Sequence, residues 1–167
     1  ATGYGSTAIG DETKASGFGS IAGGYNDSVL GMEASGEGAI VLGDNYGTMK
    51  AIGNGSIAMG YSSSGNLFQS GSTGSVAMGY DAKAWGLGAI SLGYDTNANA
   101  DYAIAIGYRI FNNKTMSVAL GRDVNIVHDL NVMNDANVVR DLNVGRAVKA
   151  VAFFGDGSGL TGVSGAG

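Results

Sequence analysis

The chain has 167 residues, 31 of them glycine and none proline or cysteine, with 44 % apolar and 14 % charged residues and a net charge of −5. That charge has the wrong sign for nucleic acid and for anionic lipid, and the missing cysteine excludes disulfides and thiolate metal centres. So apolar a chain is not intrinsically disordered, and its glycines fall at fixed places in a repeat, unlike those of collagen or a flexible linker.

Ser6-Thr7-Ala8-Ile9-Gly10 is the first of eight copies of one five-residue phrase. It returns as Ser20-Ile21-Ala22-Gly23-Gly24, Ala39-Ile40-Val41-Leu42-Gly43, Ser56-Ile57-Ala58-Met59-Gly60 and Ser75-Val76-Ala77-Met78-Gly79. Ala89-Ile90-Ser91-Leu92-Gly93, Ala103-Ile104-Ala105-Ile106-Gly107 and Ser117-Val118-Ala119-Leu120-Gly121 complete the set. The closing glycines are separated by 14, 19, 17, 19, 14, 14 and 14 residues, a fixed period with three insertions. Such a period marks a repeat architecture. Large β-branched or aliphatic residues alternate with Ala and Ser inside each phrase, which is a strand signal and not a helical one. A second element, small-x-Gly-x-Gly, precedes the phrase, as in Ala15-Ser16-Gly17-Phe18-Gly19 and Ala84-Trp85-Gly86-Leu87-Gly88. One 14-residue unit thus predicts two short strands and two turns, one coil of a narrow β-solenoid. The large residues are expected to fill the coil, so that Ile104 is buried, and the Ala and Ser rows to meet other chains. A thin stack of such coils gains little from its own core against the entropy of ordering it. A homotrimer is therefore expected, with the face lining the threefold axis left open.

Gly53-Asn54-Gly55-Ser56-Ile57-Ala58-Met59-Gly60-Tyr61 and its relatives over residues 1–122 resemble the YadA-like head repeat of trimeric autotransporter adhesins and some phage fibres. The resemblance implies an all-β fold, a left-handed parallel β-roll (β-solenoid) homotrimer presented away from a cell or virion. Thr7, Gly23 and the three lengthened units depart from the pattern.

From residue 123 the period becomes six. Asp123-Val124-Asn125-Ile126, Asp129-Leu130-Asn131-Val132, Asp135-Ala136-Asn137-Val138 and Asp141-Leu142-Asn143-Val144 follow without a gap. The apolar places share one strand face and the Asp and Asn places form polar rows, so residues 123–149 read as a narrow, intertwined trimeric β segment. Residues 150–167 read as a Gly-rich segment end. Within them Phe153-Phe154-Gly155-Asp156-Gly157-Ser158-Gly159-Leu160-Thr161 resembles a segment of phage tail-fibre proteins, which makes a tail fibre the leading context and a bacterial adhesin head the alternative.

Little in the chain suggests catalysis. Gly-x-Gly-x-x-Ala at residues 3, 17 and 53 looks like a dinucleotide fingerprint, but it repeats every coil and no helix follows it. His128 is the only histidine and has no nucleophile elbow to serve. No enzyme activity, cofactor or metal is expected; whether the aspartate row of the hexads gathers a cation stays open. No apolar run approaches the ~20 residues of a membrane span, so no direct membrane insertion is expected. Beginning at Ala1, the chain reads as a piece of something longer.

Two sets of residues are candidates for contact. Tyr25, Tyr61, Tyr80, Tyr94 and Tyr108 each follow a phrase-ending glycine and predict an aromatic ladder. It serves either as cross-coil packing or as a stacking strip for sugar rings. The three insertions, at about 25–33, 44–50 and 61–70, read as loops protruding on one flank. Leu30, Met32, Tyr46, Met49, Leu67 and Phe68 are their apolar residues and the candidate receptor contact. The expected partners are two further copies of the chain and a cell-surface receptor, protein or glycan, in an extracellular setting. A passive spacer without its own ligand is the other reading.

Overall fold

The computed structural model describes residues 1–27, 31–63 and 65–121, with 124, 132, 136 and 138 beyond them. The chain divides into two units, Ala1–Asn125 and Ile126–Gly167. The hexads and the Gly-rich segment, apart from those single residues, lie outside the described residues, as does Leu30.

The first unit is all β, and among the described residues it has no helix. Each of the eight phrases forms a strand of one parallel sheet: β1 (Thr7–Gly10), β3 (Ile21–Asn26), β5 (Ile40–Asn45), β7 (Ile57–Ser62), β9 (Val76–Tyr80), β11 (Ile90–Tyr94), β13 (Ile104–Tyr108) and β15 (Val118–Leu120). Between them lie the strands of a second sheet: β2 (Thr13–Ala15), β4 (Met32–Ala34), β6 (Thr48–Ala51), β8 (Leu67–Ser70), β10 (Lys83–Ala84), β12 (Asn97–Ala98) and β14 (Phe111–Asn112). The chain alternates between the sheets and advances one strand per turn, which is a β-solenoid. Register keeps the phrase aligned throughout: Ile90 lies between Val76 and Ile104, and Gly93 between Gly79 and Gly107.

The phrase glycine is required by this stacking. Gly93 has φ 132°, and a Cβ there would overlap the carbonyl oxygen of Gly107 in the next coil. The serine that opens many phrases closes the preceding turn. Ser20 Oγ donates to the Gly17 carbonyl at 2.7 Å and Ser75 Oγ to the Ser72 carbonyl at 2.6 Å, which is the local side-chain-to-backbone bonding that favours serine in turns.

The interior corrects the expectation about which face is inward. Ala22, Val41, Ala58, Ala77, Ser91 and Ala105 are fully buried, while the large residues on either side of them point out. Ile21, Met78 and Ile106 are 40 %, 39 % and 37 % exposed, and Ile104 is half-buried on the outer surface and not in its own core. The physical reason is width. A 14-residue coil leaves room between its two sheets for Ala, Ser and Thr, whose polar groups pair inside, as Ser91 Oγ does with Thr96 Oγ1 at 2.8 Å.

The insertions are corrected too. Met32, Met49 and Phe68, expected in protruding loops, are fully buried. They sit in register on β4, β6 and β8. The added residues lengthen strands and widen the coil, and these side chains fill the wider interior. Of the remaining candidates, Leu67 is half-buried and Tyr46 is 42 % exposed.

Candidate functional site

The outer face of the first sheet carries three rows, because alternate residues of a strand share a face. One row runs Ile21, Ile40, Ile57, Val76, Ile90, Ile104 and Val118. A second, two residues on, includes Leu42, Met59, Met78, Leu92, Ile106 and Leu120. Together they make a continuous apolar surface along the unit. The outer face of the second sheet is different in kind: Lys14 Nζ reaches Glu33 Oε1 at 2.8 Å, and Lys50 Nζ reaches Glu33 Oε2 at 3.6 Å. One flank is therefore suited to water and the other is not.

The third row on the first sheet holds the tyrosines. Tyr61 and Tyr80 stack at 4.9 Å between ring centroids, Tyr80 and Tyr94 at 4.5 Å, and Tyr94 and Tyr108 at 5.1 Å, with interplanar angles of 23°, 10° and 20°. Parallel strands one residue-row apart impose this spacing. Tyr25 stands apart from the stack, since its register partner is Asp44, and Asp44 in turn pairs with Tyr61. Tyr46 lies against Tyr61 instead, at 5.9 Å and tilted by 42°. Desolvation in the stack, then the neighbouring tyrosines, push the Tyr61 and Tyr94 hydroxyls above their ordinary pKa. Asp27 does the same for Tyr25. All three therefore remain protonated through the neutral range.

Beside this ladder runs a groove of about 400 Å³, lined by Ser63, Asn66, Tyr80, Asp81, Tyr94, Asp95, Tyr108 and Arg109. In the 14-residue coils the residue after each tyrosine takes a left-handed conformation, with φ 48° at Asp81, 48° at Asp95 and 53° at Arg109. That turn brings polar side chains alongside the rings. Asp81 accepts hydrogen bonds from Ser63 N at 2.8 Å, from the Ser63 hydroxyl and from Asn66 Nδ2 at 2.7 Å. Arg109 Nε stands 3.7 Å from Asp95 Oδ2, and its guanidinium carbon 6.0 Å from the Tyr108 ring centroid. Sequence reasoning missed these polar neighbours, although Tyr-Asp at 80–81 and again at 94–95 repeats at the coil period. No group of residues suited to holding a metal ion occurs among the described residues.

The family described as the YadA head domain repeat (2 copies) matches residues 1–26, 71–96 and 86–109. Over those stretches the solenoid carries YadA-like head repeats. The matched stretches flank the three lengthened coils, and the unbroken register of the first sheet carries the same phrase through them. YadA-like heads are surface-exposed, adhesin-like domains without enzymatic activity as a family. Neither the curated proteins nor the solved structures give a match.

Proposed function

We propose that the chain is a homotrimeric, non-enzymatic fibre segment that projects from a surface and attaches to a cell. The observation that carries this is the outer face of the first sheet: two rows of Ile, Val, Leu and Met run its length, open on the isolated chain. An exposed apolar surface of this continuity marks an interface, and a head repeat of this family supplies the partner as further copies of itself. Residues 123–149 continue the fibre as a trimeric stalk in this reading, and 150–167 end the segment. The resemblance of 153–161 to tail-fibre proteins favours a phage tail fibre as the context. The family match gives the bacterial adhesin head its own support.

Sedimentation equilibrium tests the assembly. The parent is expected at three times its 16.7 kDa chain mass. Ile104→Asp, which sets a carboxylate in the middle of the apolar face, is expected to abolish the trimer, because burying an unpaired charge is far costlier than the lost aliphatic contact. A folded parent monomer at micromolar concentration overturns the proposal, as does an Ile104→Asp variant that assembles like the parent.

A further inference from the structure

The tyrosine ladder closes off one mode of binding and leaves another. Rings stacked at 4.5–5.1 Å cover each other's faces, so a sugar ring cannot lie flat on the inner members. What the ladder offers outward is its edges and hydroxyls. Among the described residues the hydroxyls of Tyr80, Tyr94 and Tyr108 have no hydrogen-bond partner, yet all three residues line the groove. They recur at one strand spacing, about 4.8 Å, a length comparable to one pyranose ring.

We propose that this groove takes a neutral glycan chain lengthwise, held by the Tyr80, Tyr94 and Tyr108 hydroxyls and the Asp95 carboxylate, and not by stacking on ring faces. A row of identical donors at constant spacing matches a ligand that itself repeats. The charges select against the other classes. Asp81 and Asp95 outnumber Arg109, which disfavours an anionic sugar or phosphate. A basic peptide would need carboxylates with uncompensated charge, but Asp81 is already bonded to Ser63 and Asn66 and Arg109 offsets the charge of Asp95 from 3.7 Å, a distance that still leaves its oxygens able to accept from a sugar hydroxyl. A carboxylate and phenolic hydroxyls suit the vicinal hydroxyls of a neutral sugar, each acting as acceptor or donor. The proposal rests on the attachment reading, and names the class of receptor.

The experiment uses the full chain on an array of neutral and acidic oligosaccharides, and on cells treated with either periodate or protease. The key variant is Tyr80→Phe/Tyr94→Phe/Tyr108→Phe, which keeps every ring and removes only the hydroxyls. Binding of the parent to neutral oligosaccharides is expected. The triple variant should lose affinity on the order of a hundredfold, at about one hydrogen bond's worth per hydroxyl, with trimer mass and melting temperature unchanged. Cell binding should fall after periodate and survive protease. Neutral-glycan binding unchanged in the variant, binding confined to acidic glycans, or no glycan binding at all overturns the inference. If the parent binds cells but protease alone removes the binding, the receptor is a protein and only the glycan inference fails. If the parent binds no cells, attachment fails with it.

Discussion

The three lengthened coils, from β3 to β8, and the 14-residue coils, from β9 to β14, share one register and differ in what they enclose. The lengthened coils have an interior of ordinary kind, with Val41, Met49 and Phe68 fully buried. The short coils enclose Ala77, Ala84, Ser91 and Thr96. The large aliphatic side chains of their phrases are on the outside, where the isolated chain cannot bury them, and among the described residues Ile110 is the one that packs against the interior. The lengthened coils thus resemble a small domain core, while the short ones depend on ladder hydrogen bonds and on whatever covers the outer face. Insertions here are structural, and the plain repeat is the part that most needs its partners.

The largest expected effect comes from emptying the wide interior. Phe68→Ala removes the largest fully buried side chain among the described residues and should cost about 3–5 kcal/mol, seen as a lower midpoint in denaturant unfolding. Hydrogen exchange should quicken first in β6 and β8. A cost below about 1 kcal/mol, with exchange unchanged there, would mean that the lengthened coils are not held by this core.

The converse change sharpens the same contrast. Ala77→Val adds two methyl groups inside a short coil and should cost about 1–3 kcal/mol by overpacking. Ala22→Val makes the same addition in a lengthened coil that also holds Met32, whose unbranched thioether can yield. Its register neighbour Val41 is already a valine in the same row. The cost at residue 22 should therefore be the smaller of the two. Equal costs in thermal melts would show that coil width does not govern the interior.

Much of this was legible in the residues. The phrase-ending glycines give the coil period and the register, because a Cβ at that place collides with the next coil. The alternation gives the strands. It does not say which side is inward, since large-small-large reads the same from either face, and the deciding quantity is the space between two sheets in a 14-residue coil. Met32, Met49 and Phe68 were misplaced for a related reason: a longer connection reads as a loop, whereas here it widens the coil. The tyrosine row follows from period alone, but its break at Asp44 appears only when Tyr25 is aligned through Asp44 to Tyr61. The groove was the least legible part, since its polar wall depends on left-handed turns at Asp81, Asp95 and Arg109 that no single residue type announces.

The smallest expected effect lies on the opposite flank, where the ion pairs centre on Glu33 of a lengthened coil. Glu33 on β4 lies between Lys14 and Lys50, and the same row in the short coils carries Lys83, Asn97 and Phe111. The hydrogen bond from Lys14 is the leading cause that holds the Glu33 carboxyl below its ordinary value of 4.5, with Lys50 adding to it against partial burial. A carboxyl lowered on folding stabilises the fold fully above that ordinary value, and the contribution disappears as pH falls through the lowered one. Lys14 is 60 % exposed along its side chain, so solvent screens the pair and the gain should be a few tenths of a kcal/mol. Parent and Glu33→Gln are therefore expected to differ slightly in melting temperature at pH 7. The gap should close as the pH drops below 4.5, and shrink with added salt at pH 7. A gap that persists unchanged to pH 2 would mean that Glu33 acts by packing across β2, β4 and β6 and not by its charge.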